Sequence, residues 1–202
     1  WREFTRILKT QDISLDAVFK AMEVSQKPNI LVVGDVILDR YVACDPVGMS
    51  NEAPVVVVKE LETQDYVGGA GIIAAHVAAL GARSTILSSV GIDDQGKYID
   101  QCLNDLGVES VLVQDEGRPT TLKIRYLVDN QKLFRVSRLK EHSLSRENED
   151  TLIEELKSRI KSVDGILVSD FVYGVVTQRL LEVLGSLASE HGIPLFGDLQ
   201  CS

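Results

Sequence analysis

The chain has 202 residues, of which 45% are hydrophobic and 25% charged, and its formal net charge is −9. That size suits one globular domain, with room for a small subdomain and a sizeable core. The acidic balance argues against a general nucleic-acid binder but leaves room for a basic pocket that takes an anionic ligand, and no apolar run approaches the ~18 residues of a membrane helix.

The first 28 residues read as a polar, partly helical extension. The stretch "WREFTRILKTQ" has no apolar core and is not a secretory signal. Ser14 is a candidate N-cap, with Leu15, Val18, Phe19 and Met22 as an apolar stripe. Pro28 then punctuates the entry to a first strand, "NILVVGD". Further strands are expected at "TILSSVG" (85–91), "GILVSD" (165–170) and "PLFGD" (194–198). Between them the pattern predicts helices over "DQGKYIDQCLNDLG" and "TQRLLEVLGSLASEHG", closed by Gly107 and Gly192. Continuous apolar strands alternating with helices imply a parallel sheet covered on both faces.

Two regions break the alternation. "APVVVVKELETQDYV" (53–67) and "TTLKIRYLVDNQKLFRVSRL" (120–139) are β-rich with no helix between their strands. The second has a turn-like centre at "VDNQKL" and reads as a hairpin. Both suggest a small antiparallel flap beside the main sheet. The polar stretch 138–150 reads as a flexible link, with Ser145 as the N-cap of the next helix. Cys44, Cys102 and Cys201 are scattered, without a CxxC pair, as expected of reduced thiols in the cytoplasm. The chain lacks an initiator Met and stops just after a strand, so further C-terminal sequence is expected.

In open α/β sheets, ligands bind beyond the carboxyl ends of the strands. Polar clusters recur there: "GDVILD" (34–39), "YVGGAG" (66–71), "GIDDQG" (91–96), "SDFVYG" (169–174) and "GDLQ" (197–200). Asp35 and Asp39 could be solvated strand ends, a catalytic pair, a metal site or a grip on sugar hydroxyls. The last is chemically simplest, because a carboxylate accepts two hydrogen bonds from neighbouring hydroxyls. A metal site is disfavoured, since "DVILD" lacks both the ligand density and the glycine of a calcium loop. "GGAG" opens a helix and leaves backbone N–H groups for ligand oxygens, or is simply a tight packing turn. No GxGxxG follows the first strand and no GxxxxGK[ST] occurs, which disfavours dinucleotide and P-loop folds. His76, inside an Ala-rich helix, reads as a packed or capping residue. Lys123 and Arg125 alternate onto one strand face and suit a phosphate, with Arg135 on the same hairpin; ordinary surface charge is the competing reading.

Taken together, "VVGDVILDRY", "SNEAPVVVV", "VGGAGIIAAHVAALGA", "VGIDDQG", "RPTTLKIRYLVDNQKLFRV" and "LVSDFVYG" resemble the ribokinase/PfkB carbohydrate-kinase family, most closely its heptose-7-phosphate kinase branch. The resemblance runs from residue 29 to about 200. It implies a ribokinase-like α/β fold: a doubly wound, mainly parallel sheet with helices on both faces and a β-strand lid at about 41–67 and 120–137. It also implies transfer of the ATP γ-phosphate to a sugar or sugar-phosphate hydroxyl with Mg2+, and a homodimer made through the lid strands. Residues 29–202 would then be the N-terminal, sugar-binding part of the kinase domain. By resemblance, Asp39 matches the sugar-hydroxyl ligand and Asp35 an Asp of the heptose branch. Gly68 and Gly69 match the substrate-contacting glycine pair. Lys123, Arg125 and Arg135 match lid positions suited to a substrate phosphate, and Asp170 matches the Asp of an SDYxKG motif.

The general-base Asp and the ATP site of the family are expected beyond Ser202, so the 202 residues alone are expected not to turn over ATP. The sequence departs from the family at Ile72 and His76, where Asn is usual, and at Tyr173, which replaces the Lys of SDYxKG. Asp198-Leu199-Gln200 stands where the heptose branch has Asp-Pro-Lys. These departures keep open a catalytically silent, sugar- or partner-binding protein. A nucleoside or vitamin kinase would change the substrate but not the mechanism.

Overall fold

The first strand, β1 (Asn29–Gly34), is apolar on both sides because both sides are covered. Leu31 and Val33 point into one core cluster and Val32 into the other. The computed structural model describes residues 27–200 together with Ser14 and Asp16, so the helix expected in the lead-in lies outside the described residues.

Chain order continues with β2 (Val36–Met49), β3 (Val56–Gly69), α1 (Ala70–Ala79), β4 (Arg83–Gly91), α2 (Asp94–Asp105) and β5 (Val108–Asp115). Then come β6 (Leu122–Val128), β7 (Gln131–Arg138), α3 (Arg146–Arg159), a 3-10 turn (Ile160–Ser162), β8 (Gly165–Asp170), α4 (Gln178–His191) and β9 (Leu195–Leu199). The main sheet has the order β5-β4-β1-β8-β9, and every neighbouring pair in it is parallel. On one face Leu152, Ile153 and Leu156 of α3 and Leu180, Leu184 and Ala188 of α4 pack against Leu31, Val33, Ile166 and Val168. On the other, Ala70 and Ala74 of α1 and Ile99 and Leu103 of α2 pack against Val32, Ile86 and Val90. This is the α/β class that the alternating pattern predicts.

The helix caps follow the sequence. Asp93 accepts from the Gly96 amide at the start of α2, Ser145 from Asn148 at α3, and Thr177 from Leu180 at α4. Gly107 and Gly192 take positive φ just after α2 and α4. The strand at 108–115 has no counterpart in the sequence reading, because its "VESVLVQD" alternates apolar and polar residues only partly.

The flap is a second sheet of order β3-β2-β6-β7. Its inner pair, β2 with β6, is parallel, which corrects the expectation of a purely antiparallel flap. The two hairpins β2-β3 and β6-β7 arise from different parts of the chain and meet side by side, so their first strands run in the same direction. The β6-β7 turn consists of Asp129 and Asn130, both at positive φ, as a two-residue hairpin loop requires. The flap base is continuous with the core through Leu38, Val42, Leu122 and Ile124. The expected flexible link is shorter than 138–150 and is tied down: α3 begins at Arg146, Leu144 is buried and its amide donates to Gly174, and the His142 carbonyl accepts from Arg118.

Candidate functional site

β1 ends at Gly34, one residue intervenes, and β2 leaves for the flap at Val36. The site is built around that exit. Asp39 lies on β2 beside Lys123 of β6, and Tyr41 beside Arg125. All four therefore share one face of the flap. Arg125 donates to the Asp39 carboxylate at 2.5 Å, and its guanidinium lies 5.1 Å from the centre of the Tyr41 ring. Arg135 is paired directly opposite Arg125 on β7 and is exposed on that same face.

Gly68 stands behind the Asp39 carboxylate, where any Cβ would collide with it. Gly69, at φ 59, is the N-cap position of α1, and a Cβ there would run into the Asp35 carbonyl. Both positions need glycine because backbone and side chain meet closely.

Next to Asp39 opens a cavity of about 650 Å3, lined by Tyr41, Glu62, Gln64, Tyr66, Gly68 and Ile72 among others. Tyr41 and Tyr66 meet edge to face, with centroids 5.7 Å apart, and the Tyr66 hydroxyl donates to Gln64. One wall can thus accept and donate hydrogen bonds while another offers aromatic and aliphatic surface. That combination suits a polyhydroxylated ring.

Lys123 reaches away from the flap, toward the loop after β8. Its ammonium lies 5.3 Å from the Phe171 ring centre and 4.9 Å from that of Tyr173, two rings that stack at 17°. The loop is held from beneath by Asp35. This residue is 2% exposed; its Oδ2 accepts from the amides of Phe171 (2.9 Å) and Tyr173 (3.2 Å), and its Oδ1 from Val175 (3.1 Å). Burial pushes the Asp35 carboxyl above the usual carboxylate range, outweighing the three amide donors. From the other side, Arg118 pairs with Asp115 and donates to the carbonyls of Tyr173 and His142. Asp170 turns back on its own loop and accepts from the Val172 amide at 2.7 Å.

Gly69 caps α1 against the Asp35 carbonyl, and the other seven expected site residues fall into two groups. Asp39, Gly68, Lys123, Arg125 and Arg135 gather on one flap face or against it. Asp35 and Asp170 serve the 171–175 loop, and neither lines the cavity. Tyr41, Tyr66 and Phe171 escaped the sequence reading, although Asp39 and Tyr41, like Gln64 and Tyr66, stand two residues apart, as partners on one strand face must. His76 is exposed on α1. Among the described residues, no group of three or more His, Cys, Asp or Glu is placed to hold a metal ion, and no helix is long and apolar enough to cross a membrane.

Residues 27–200 match the sequence profile of the pfkB family carbohydrate kinases. The chain belongs to that family. It is 37% identical over 169 residues to the bifunctional protein HldE of Trichlorobacter lovleyi, covering 83% of this chain and 34% of the relative. It is 36% identical over 172 residues to HldE of Bradyrhizobium diazoefficiens, covering 84% and 35%. Among solved structures, it resembles Escherichia coli phosphofructokinase-2 in complex with fructose-6-phosphate, with a TM-score of 0.67 and 16% identity over 88% of this chain and 56% of that one. Arabidopsis thaliana ribokinase complexed with ribose and ATP gives 0.63 and 18%, over 88% and 55%. The fold is thus ribokinase-like. The chain spans about a third of the length of these curated relatives and about half that of the structural neighbours. None of these likenesses supports the catalytically silent reading.

Proposed function

We propose that this chain supplies the sugar-binding part of a pfkB-type kinase that transfers the ATP γ-phosphate to a hydroxyl of a phosphorylated or heptose-like sugar. The observation that carries the reading is the Asp39–Arg125 pair at a tyrosine-walled cavity, with Gly68 backed against the carboxylate. Asp39 would accept from sugar hydroxyls, and the Gly68 and Gly69 backbone would approach the sugar closely. Lys123, Arg125 and Arg135 would face the substrate's phosphate, because the three cations, two on β6 and one on β7, share the flap face that carries Asp39 and Tyr41.

In the reaction, the acceptor hydroxyl oxygen bonds to the γ-phosphorus, the bond to the bridging oxygen of ADP breaks, and the hydroxyl proton passes to a base. The described residues assign no such base and no set of Mg2+ ligands. What this chain contributes is orientation of the acceptor and neutralisation of its charge. The test is sugar-phosphate-dependent ADP formation by the full-length protein. Asp39→Asn should abolish most of it, and ADP formation unaffected by that change would refute the assignment.

The flap's opposite face supports a homodimer. Phe134 and Val136 alternate with Arg135, point away from the cation face, and are 47% and 39% exposed. Phe134 stacks on Tyr126 at 4.6 Å. A second copy would cover this apolar strip. Sedimentation should give a dimer that Phe134→Glu converts to monomer; a monomeric wild type would refute it. A cytoplasmic setting belongs to the same proposal, with Cys44 and Cys102 as free thiols.

A further inference from the structure

Asp35 is a junction of three elements. Its amide donates to the Ser169 carbonyl of β8 at 3.1 Å, and its carbonyl accepts from the Ala70 amide at the start of α1 at 2.9 Å. On either side of it, the buried Ser88 hydroxyl accepts from the Val36 amide and donates to the Gly34 carbonyl. Its carboxylate is filled by three backbone amides of the 171–175 loop. A carboxylate so engaged and 2% exposed has little left for a ligand.

The loop it holds is strained. Val172 has φ 62, a left-handed conformation that a β-branched residue adopts only under constraint. The constraint acts on both sides of the next residue, since Asp35 takes the Tyr173 amide and Arg118 the Tyr173 carbonyl. The result is that the Phe171 and Tyr173 rings meet the Lys123 ammonium. A lysine on a strand samples many rotamers, and two ring faces restrict it while leaving N–H groups free for an anion.

We propose that Asp35 is a positioning residue: by shaping the 171–175 loop it seats Lys123 on Phe171 and Tyr173, and thereby sets the preference of the site for an anionic over a neutral sugar. This rests on the sugar-phosphate reading above. Asp35→Asn puts an NH2 donor against one of the loop amides and releases the loop, while Asp39 and Arg125 are untouched.

The experiment uses the full-length protein with two probes, sedoheptulose 7-phosphate and sedoheptulose, titrated calorimetrically, and follows the Lys123 Hε resonances by NMR. Wild type should show Lys123 shifted upfield by the rings. Asp35→Asn should abolish that shift and weaken the phosphorylated sugar about tenfold, leaving the neutral one within twofold. Lys123→Met should do the same to the affinities, and the double variant should be no worse than either single one. The pair Phe171→Leu with Tyr173→Leu reaches the same end without touching Asp35, so it decides the matter if Asp35→Asn does not fold. Equal weakening of both sugars, additivity with Lys123→Met, or an unchanged Lys123 shift would overturn the proposal. Failure of wild type to bind either sugar overturns the function proposed above instead, and the Lys123 resonances then decide the Asp35 claim alone.

Discussion

Arg125 reaches Asp39 across the parallel contact of β2 and β6, 86 residues away in sequence, and lays the same guanidinium against Tyr41. The ring and the carboxylate, both of residues that line the cavity, fix the cation in two directions, so it is already ordered. Replacing Arg125 by Ala removes a charge-assisted hydrogen bond, worth about 1.5–3 kcal/mol. Sugar-phosphate affinity should fall roughly 10- to 100-fold by calorimetry. Arg125→Lys should recover only part of it, because an ammonium lacks the planar fork.

Gly68→Ala tests the close approach on the other side of Asp39. The added methyl would collide with the Asp39 carboxylate, a side chain that can swing away, rather than with backbone. The expected outcome is lost sugar affinity with a melting temperature changed by only a few degrees. Gly69→Ala should instead destabilise the protein by about 1–3 kcal/mol, because its φ of 59 is left-handed and the new Cβ meets the Asp35 carbonyl. Urea unfolding of the two variants separates the cases.

Arg118 gives a prediction about the same loop from its far side. Its side chain is 6% exposed, paired with Asp115 at 3.1 Å and bonded to two carbonyls. Arg118→Leu leaves the buried Asp115 carboxylate without its counter-charge, with only the Gly117 amide donating to it, and takes the arginine donors from two carbonyls, which should cost about 3–5 kcal/mol of stability. A loss below 1 kcal/mol in urea unfolding would show that the arginine does not hold the loop.

The acid limb of stability should depend on Glu149. Burial pushes this carboxyl up, but the Thr177 hydroxyl and the Arg179 guanidinium bonded to it, at 2.5 and 2.6 Å, outweigh burial and hold it below the usual range. A carboxylate depressed in the folded state adds stability that is complete above its unfolded value, about 4.3, and is lost as pH falls through the lower folded value. Asp93 behaves alike: burial raises it, and the Thr120 hydroxyl and amide with the Gly96 amide bring it below its ordinary value. Asp35 runs the other way, its raised folded value making its contribution less favourable as pH rises through that range. Glu149→Gln should therefore flatten the loss of stability below about pH 4.3 in urea midpoints, and an unchanged acid limb would contradict the assignment.

Much of the fold was legible because its signals are local. A continuous apolar run after Pro28 made β1 recognisable, Ser145 and Gly192 marked helix ends, and "VDNQKL" marked a hairpin. The parallel β2-β6 contact was not, because it joins two hairpins far apart in sequence and no local pattern encodes it. The same distance hid the site's inner structure. That Arg125 pairs with Asp39, or that Lys123 meets Phe171 and Tyr173, follows from flap geometry. Asp35 and Asp39 look equivalent in "GDVILD", and only their placement separates them. One lies beneath a loop with its oxygens filled by amides, and the other lines the cavity.

The most direct test of the proposed function is calorimetric titration of sedoheptulose 7-phosphate into the full-length protein, wild type against Asp39→Asn, at matched stability. Saturable binding to wild type, reduced at least tenfold by Asp39→Asn, is the predicted result. Binding of equal strength in both would show that the Asp39 cavity is not the sugar site.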